Sequence, residues 1–350
     1  MADLETAQGL GLLERLERGP VICAEGYLFE LERRGYLQAG GFVPEVVLEH
    51  PEKVTELHRE FVHAGSDVVE AFTYYAHREK LRLIGKEELL EALNRQALEL
   101  AREVARESGS LFAGDVCNTN VYTGEESGDA VRSMFEEQVG WAVEAGADLV
   151  IGETFSWGGE ALAATEVIKA AGLPAVITMV FHRHPETREG WSPEEACRRL
   201  KDAGADVVGI NCSRGPQTML PLLVSLREAV PGHLAALPVP YRTHDGEPSF
   251  QSLSDSDGGS LPGSRPFPTA LDPFTCNRYE IADFASAAYD LGINYLGVCC
   301  GAAPHHIRGM AEGLGRTPPA SRYSADMSKH AYFGTDDTLK QENRQYAREL

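Results

Sequence analysis

The chain has 350 residues, of which 43% are hydrophobic and 24% are charged, so it is long enough to bury a large core. It carries 32 Lys and Arg residues against 53 Asp and Glu residues, which gives a formal net charge of −21 at pH 7. Such an acidic surface repels nucleic-acid phosphates and anionic lipid headgroups, and we therefore expect neither nucleic acid nor a membrane as a partner.

The sequence predicts neither a membrane-spanning helix nor a signal peptide. No segment approaches the roughly 18 consecutive apolar residues that a bilayer-spanning helix requires. Residues 1–20 contain no basic region followed by a long apolar stretch, and they predict an acidic amphipathic helix rather than a signal peptide. Seven cysteines without a secretion signal indicate the reducing cytoplasm, where clustered thiols are more often metal ligands or catalytic groups than disulfides.

A helix followed by a buried strand recurs along the chain. Several helical patterns end in Ala-Gly or Leu-Gly, and each is followed by an apolar run that does not alternate, as in a parallel sheet buried on both faces. Eight strands are predicted within 21–26, 63–73, 110–117, 144–155, 174–181, 202–212, 234–241 and 290–301. Helices are predicted between them, over 44–64, 86–107, 127–144, 159–171, 193–203, 217–229 and 279–291.

Eight strand–helix units favour a (β/α)8 TIM barrel over a doubly wound sheet. No Gly-x-Gly-x-x-Gly follows the first strand, which argues against a dinucleotide-binding domain. We predict a barrel domain over residues 1–315 and a short C-terminal extension over 316–350, with an oligomerisation arm as the hypothesis for its role. Residues 242–270, rich in Gly, Ser, Pro and Asp, predict a long loop over the barrel mouth, either a mobile lid or disordered decoration.

The active site of such a barrel lies at the C-terminal ends of its strands. The residues at the predicted ends are Glu25, Thr73, Tyr74, Tyr75, Asp115, Cys117, Asn118, Glu153, Thr154, His182, Asn211, Cys212, Tyr241, Cys299 and Cys300.

Three of these cysteines are candidate metal ligands. Cys212 ends the sixth predicted strand, and Cys299 and Cys300 end the eighth. Three thiolates suit Zn²⁺ and leave a fourth position open, as in catalytic zinc sites. The alternative is that they fill the core, since free cysteine is among the most buried residue types. The residues alone do not decide between metal binding and core packing for Cys212, Cys299 and Cys300. The other four cysteines are expected to be core or surface filler without a role in the site: Cys23, Cys117, Cys197 and Cys276.

Several stretches resemble a known family. They are VPEVVLEHPEKVTELHREFVHAGSDVVEAFTYYA (43–76), GINC (209–212), YLGVCCG (295–301) and PHHIR (304–308). With these, the chain resembles the homocysteine S-methyltransferase family, and within it the betaine–homocysteine enzymes. The resemblance implies a (β/α)8 barrel, a Zn²⁺ ion bound by Cys212, Cys299 and Cys300, and methyl transfer to homocysteine.

The resemblance also implies roles for other residues. Glu153 matches a glutamate that helps to hold homocysteine, and we treat it as the catalytic candidate among the carboxylates. Tyr75 matches a tyrosine of the methyl-donor pocket. Other positions depart from the pattern. Glu25-Gly26-Tyr27 replaces the family's Asp-Gly followed by a small residue, and the betaine enzymes have a tryptophan in place of Phe42 and a tyrosine in place of Thr154. These five residues, Glu25, Gly26, Phe42, Tyr75 and Thr154, together with Glu153, form the expected substrate-binding set.

We therefore expect a cytoplasmic, zinc-dependent S-methyltransferase that gives methionine. Its small-molecule substrates are homocysteine and an onium donor, either betaine or a related sulfonium or ammonium compound. Because an aromatic face attracts a quaternary ammonium best when it is tryptophan, Phe42 leaves the donor open. We expect a homo-oligomer. The alternatives are a methyltransferase module that depends on a partner protein and a non-catalytic zinc-binding barrel.

Overall fold

The computed structural model describes residues 9–255 and 265–350. Its eight parallel strands close into a barrel in chain order, and β8 pairs with β1. The predicted (β/α)8 TIM barrel is therefore confirmed. The strands are β1 Val21–Ala24, β2 Val68–Glu70, β3 Leu111–Cys117, β4 Leu149–Phe155, β5 Ala175–Met179, β6 Val207–Asn211, β7 His233–Leu237 and β8 Tyr295–Val298.

Helices surround this barrel, and glycines end several of them as the sequence predicts. Gly65, Gly109 and Gly146 follow three of the helices with φ of 119°, 74° and 78°, left-handed values that glycine adopts without a steric penalty. The helices are α1 Leu12–Arg18, α2 Tyr27–Arg33, α3 Val46–Glu49, α4 Pro51–Ala64, α5 Arg78–Leu83, α6 Leu90–Ser108, α7 Gly128–Ala145, α8 Gly158–Ala170, α9 Pro193–Asp202, α10 Pro216–Ala229, α11 Arg278–Asp290, α12 Pro304–Gly313 and α13 Gln341–Tyr346.

The single helix predicted over 44–64 is wrong in one respect. The chain forms α3 and α4 with a break at His50, whose φ of −140° and ψ of 57° are not helical. Pro51 explains the break, because a proline lacks a backbone N–H and its ring disfavours a helical conformation in the residue before it. The proline then serves as the first residue of α4.

The strands are buried on both faces, as their non-alternating apolar runs predict. All seven residues of β3 and all seven of β4 are buried. Apolar side chains such as Ile22, Leu149 and Val207 are fully excluded from solvent and form one continuous core. The exceptions are ionisable side chains inside the barrel, and these belong to the site described below.

Part of the predicted mouth loop packs firmly against the barrel. Phe250 is buried, its backbone N–H donates to Ser213 O at 2.8 Å, and its ring stacks on Tyr241 with 5.8 Å between centroids. This contact holds Phe250 against the barrel, and the choice between a lid and disordered decoration stays a prediction. The rest of that prediction, over residues 256–264, lies outside the described residues.

The C-terminal extension runs over the outside of the barrel. Arg316 forms an ion pair with Asp67 at 2.6 Å, and beyond it most side chains are exposed, including Tyr323 and Phe333. The division at residue 315 stays a prediction. Within the described residues, no helix combines the length and the apolar character needed to cross a membrane.

Candidate active site and metal centre

Three thiols meet at one side of the barrel mouth. Cys212 directly follows β6, whereas Cys299 and Cys300 directly follow β8, and their Sγ atoms all lie within 4.8 Å of one another. The backbone bends sharply at both places: Cys212 has a φ of 56° and Gly301 a φ of 95°. A Cβ atom at Gly301 would lie 2.3 Å from Tyr241 Oη, so only glycine fits beside the cysteine pair.

The three thiols differ in acidity. Hydrogen bonds donated by Cys299 and Cys300 lower the pKa of Cys212 well below its usual value. Burial raises the pKa of Cys299, and the hydrogen bond donated to Cys212 raises the pKa of Cys300. The cluster therefore holds one thiolate more easily than three, and removing the remaining protons requires a nearby positive charge.

The donor set fits a zinc ion. Tetrahedral Zn²⁺ takes thiolate sulfurs at about 2.3 Å, so that sulfurs bound to one ion lie roughly 3.8 Å apart, within the spacing found here. All three cysteines are free, Cys212 and Cys299 are buried and Cys300 is partly buried. Three cysteines from the chain leave one tetrahedral position for a further ligand.

Four carboxylates lie opposite the thiols, inside the barrel: Glu25 at the end of β1, Glu70 in β2, Asp115 in β3 and Glu153 in β4. Oxygens of Glu70, Asp115 and Glu153 lie within 4.8 Å of one another, as do those of Glu25 and Glu153 with Cys299 Sγ. Burial, followed by the charge of a neighbouring carboxylate, raises the pKa of each of the four.

Asn211 connects the carboxylates to the thiols. Its Nδ2 atom donates to Glu153 Oε2 at 2.9 Å, to Glu25 Oε2 at 3.2 Å and to Thr154 Oγ1 at 2.9 Å, and it lies 3.7 Å from Cys299 Sγ. Thr154 in turn donates to Glu153 at 3.0 Å. These contacts fix the Glu153 carboxylate beside the thiol cluster.

The expected substrate residues are only partly brought together. One cavity is lined by Glu25, Tyr27, Leu28, Glu70, Ala71, Phe72, Tyr74, Asp115, Glu153 and Cys300. Tyr74 lines it, whereas Tyr75 and Phe42 do not. Tyr75 is partly buried, with Lys80 Nζ 4.3 Å from its ring centroid. Phe42 packs on Phe29, with 5.8 Å between centroids.

Gly26 and Tyr27 have packing roles. A Cβ atom at Gly26 would lie 2.5 Å from Ala302 Cβ, so this glycine lets two chain segments approach closely. The Tyr27 ring lies edge-on to Phe61, and its hydroxyl is 3.1 Å from His58 Nδ1. The four cysteines expected to be filler, Cys23, Cys117, Cys197 and Cys276, are all buried.

The sequence does not single out Glu70 or assign Asp115 and Asn211 a role. Glu70 stands in the apolar run Val68-Val69-Glu70-Ala71-Phe72 and is only 3% exposed. The sequence signal that could have identified Glu70 is an ionisable residue in a strand predicted to be buried on both faces. Such a residue is rarely buried without a partner. Periodicity alone does not say which other carboxylates lie opposite it.

Comparison with known proteins gives the family of this chain. The family model for homocysteine S-methyltransferase matches residues 22–314. Betaine–homocysteine S-methyltransferase 1 of Xenopus laevis is 38% identical over 93% of this chain and 80% of its own. S-methylmethionine–homocysteine S-methyltransferase BHMT2 of Rattus norvegicus is 36% identical over 93% of this chain and 86% of its own.

A solved structure shares the fold. The metallated homocysteine methyltransferase MmuM of Escherichia coli matches with a TM-score of 0.65 and 21% identity, over 85% of this chain and 98% of that one. The expectation of a methyltransferase is confirmed by the family model together with the curated relatives. The chain belongs to the homocysteine S-methyltransferase family.

Proposed function

We propose that this enzyme transfers a methyl group from an onium donor to the sulfur of homocysteine and gives methionine in a zinc-dependent reaction. The observation that carries the proposal is the meeting of Cys212, Cys299 and Cys300 beside a buried acidic cavity in a chain of this family. These three cysteines would hold the zinc. When bound, zinc supplies a positive charge that keeps a thiol deprotonated near neutral pH, where a free thiol of pKa about 8.5 is mostly protonated.

The buried carboxylates orient the amino-acid substrate. Glu153 and Glu25 lie next to Cys299, and each carries an oxygen that can accept a hydrogen bond from the substrate's ammonium group. Asn211 and Thr154 hold Glu153 in one orientation, which lowers the entropic cost of placing the substrate sulfur in line with the donor methyl group. Glu153 is thus the proposed catalytic residue, and its role is orientation.

The chemical step needs no general base from the chain once the sulfur is deprotonated. A sulfur–carbon bond forms to the methyl group while its bond to the donor nitrogen or sulfur breaks, and the bonding electron pair stays on the donor atom. A thiolate and an onium ion neutralise each other in this step, so a buried site favours it over water. The burial of Cys212, Cys299 and Glu153 provides such surroundings.

The donor belongs to the onium class, with betaine and S-methylmethionine as the named candidates. Relatives named for each of these donors match this chain at nearly the same identity. The aromatic candidates for this pocket are Phe42 and Tyr75. Neither lines the described cavity, and Lys80 Nζ lies above the Tyr75 ring, so a donor cation on that face would have to displace it.

The protein is proposed to act in the cytoplasm as a homo-oligomer without nucleic acid or a membrane. Residues 316–350 carry exposed aromatic side chains, Tyr323, Phe333 and Tyr346, and these support an oligomerisation arm. Analytical ultracentrifugation of the full chain and of a chain ending at Gly315 would test this arm. If the truncated chain assembles with the same number of subunits as the full chain, the proposed arm is contradicted.

The central experiment is a donor panel. Purified, zinc-loaded enzyme is incubated with homocysteine and, in separate reactions, betaine, S-methylmethionine and a dimethylsulfonio compound, and methionine is measured by mass spectrometry. Methionine from at least one donor, without any added protein, is expected. Methionine that forms only after a partner protein is added would favour the partner-dependent alternative, and no product with any donor would refute the proposal.

A further inference from the structure

The carboxylate cluster contains more negative charge than the proposed reaction uses. Glu25 and Glu153 suffice to bind one substrate ammonium group, yet Glu70 and Asp115 face the same cavity. All four side chains are at least 94% buried, with relative exposures of 6%, 3%, 5% and 5% for Glu25, Glu70, Asp115 and Glu153. A buried carboxylate without a partner is costly, so such groups are paired with a cation, coordinate a metal or take up protons.

Within residues 9–255 and 265–350, no cationic side chain pairs with these carboxylates. Among the described residues, no lysine, arginine or histidine nitrogen lies within 4.0 Å of any of these four carboxylates. The hydrogen-bond donors they do have are neutral: Thr73 donates to Asp115 Oδ2 at 3.3 Å, and Asn211 donates to Glu25 and Glu153.

One oxygen in each of three of these carboxylates is buried and unpartnered. Glu25 Oε1, Glu70 Oε1 and Asp115 Oδ1 are buried without a hydrogen-bond partner. Neutral donors fix one oxygen of Glu25 and of Asp115 and leave the other free to bind something else.

The spacing matches that of metal ligands. Oxygens of Glu70, Asp115 and Glu153 lie within 4.8 Å of one another. Oxygens that share a Mg²⁺, Mn²⁺ or Ca²⁺ ion at roughly 2.0–2.6 Å lie at most about 5 Å apart. Carboxylate oxygens prefer such hard ions, whereas the thiols opposite prefer zinc, so the two donor sets select different metals.

We propose that Glu70, Asp115 and Glu153 form a second metal site, for an oxygen-ligated divalent cation of the Mg²⁺, Ca²⁺ or Mn²⁺ class, next to the thiol cluster. The ion offsets the negative charge of the buried carboxylates. The site is separate from the zinc site and does not depend on the identity of the methyl donor.

Manganese is the probe for the test, because its free aquo ion gives an electron paramagnetic resonance signal that disappears on binding. Zinc-loaded full-length protein is titrated with Mn²⁺ near neutral pH, and zinc content is measured in the same samples. We expect one Mn²⁺ per chain, displaced by Mg²⁺ or Ca²⁺, while zinc stays bound. If wild-type protein binds no Mn²⁺, the carboxylates are held by protons or by substrate, and the proposal is refuted.

Variants locate the ion. Glu70→Gln and Asp115→Asn each remove a ligand with little change in volume and should weaken Mn²⁺ binding roughly 10- to 100-fold, as ligand-sphere changes commonly do. Glu160→Gln is the matched control, because Glu160 is equally buried but accepts from Thr119 N at 2.7 Å and needs no ion. Circular dichroism confirms folding, and either ligand variant suffices if the other fails to fold. Equal Mn²⁺ affinity in the ligand variants and the control would overturn the assignment.

Discussion

The two sides of the barrel mouth are built differently. On the side of β6 and β8, three cysteines stand just beyond the strands, where Cys212, Ser213 and Gly301 have left-handed backbone conformations. On the side of β1 to β4, Glu70, Asp115 and Glu153 stand within the strands themselves. The cysteines depend on local backbone bends, whereas the carboxylates depend on barrel closure. Each side can therefore be perturbed separately, and Asn211 joins them.

The largest expected effect is the loss of the thiol side. Replacing Cys212, Cys299 or Cys300 by serine removes a zinc ligand and should abolish stoichiometric zinc binding. Methionine formation should fall about 1000-fold or more, because a Lewis-acidic metal contributes several kcal/mol to such a step. Zinc analysis by mass spectrometry and a product assay measure both effects.

Cys197→Ser is the control for those variants. Cys197 is fully buried, its Sγ lies 3.8 Å from Gly209 O, and burial raises its pKa to about 12. It belongs to the core and should retain zinc and activity. If the three site variants keep zinc as this control does, the thiol cluster is not the metal centre.

The next effect concerns the carboxylate side. Glu153→Gln keeps the shape of the side chain but removes the charge that would bind the substrate ammonium group. A hydrogen bond to a charged group is worth about 1.5–3 kcal/mol, so the KM for homocysteine should rise roughly 10- to 100-fold. Steady-state kinetics with zinc-loaded enzyme checks this. An unchanged KM would remove Glu153 from substrate binding, and Glu160→Gln serves again as the buried-carboxylate control.

The connection between the two sides is tested at Asn211. Asn211→Ala leaves the carboxylates of Glu25 and Glu153 without their shared donor and should lower the free energy of unfolding by about 1–3 kcal/mol. Asn211→Asp keeps the size but adds a further carboxylate and should destabilise the protein at least as much. Urea unfolding with zinc bound compares them. An aspartate variant as stable as wild type would show that the connection carries little energy.

The carboxylate side should also give the protein a pH-dependent stability when divalent cations are chelated. Burial raises the pKa of Glu70 well above its ordinary 4.5, so above pH 4.5 the folded state binds more protons than the unfolded state. The free energy of unfolding therefore falls as pH rises from about 4.5 through the raised pKa, by up to about 1.4 kcal/mol per pH unit for one group.

Glu70→Gln removes that contribution and should flatten the fall above about pH 4.5, as measured by urea unfolding. His58 acts in the opposite direction, because burial lowers its pKa to about 3, so stability is lost as pH falls below its ordinary 6.5. This contribution is common to both proteins and cancels in their difference. Identical slopes for the two proteins would contradict the prediction.

The smallest effect concerns the donor. Phe42→Trp enlarges the aromatic face, and a cation–π contact gains about 0.5–1 kcal/mol at an accessible site, so the KM for betaine should fall roughly 2- to 5-fold. The KM for homocysteine is the internal control and should not change. Equal KM values for betaine in the two proteins would place Phe42 outside the donor pocket. Its role would then be to pack against Phe29.

Much of this molecule follows from local sequence. The repeated helix, glycine and apolar strand predict eight strand–helix units, because helix capping and strand burial are decided by neighbouring residues. The residues alone leave the role of Cys212, Cys299 and Cys300 open, and the resemblance of GINC and GVCCG to the homocysteine S-methyltransferase family implies that they bind zinc. The break at His50 was also local, and Pro51 was a sufficient signal for it.

Tertiary structure alone decided what the barrel encloses. Glu70 carries no motif, and Asp115 is predicted only to lie at a strand end. The closure of β1 to β4 around one axis places their oxygens together and leaves one oxygen of each unpartnered. Likewise, Tyr74 rather than Tyr75 lines the cavity because the backbone turns just after β2. Contacts across a barrel depend on strand order and register, which link residues far apart in the chain, and no local pattern encodes them.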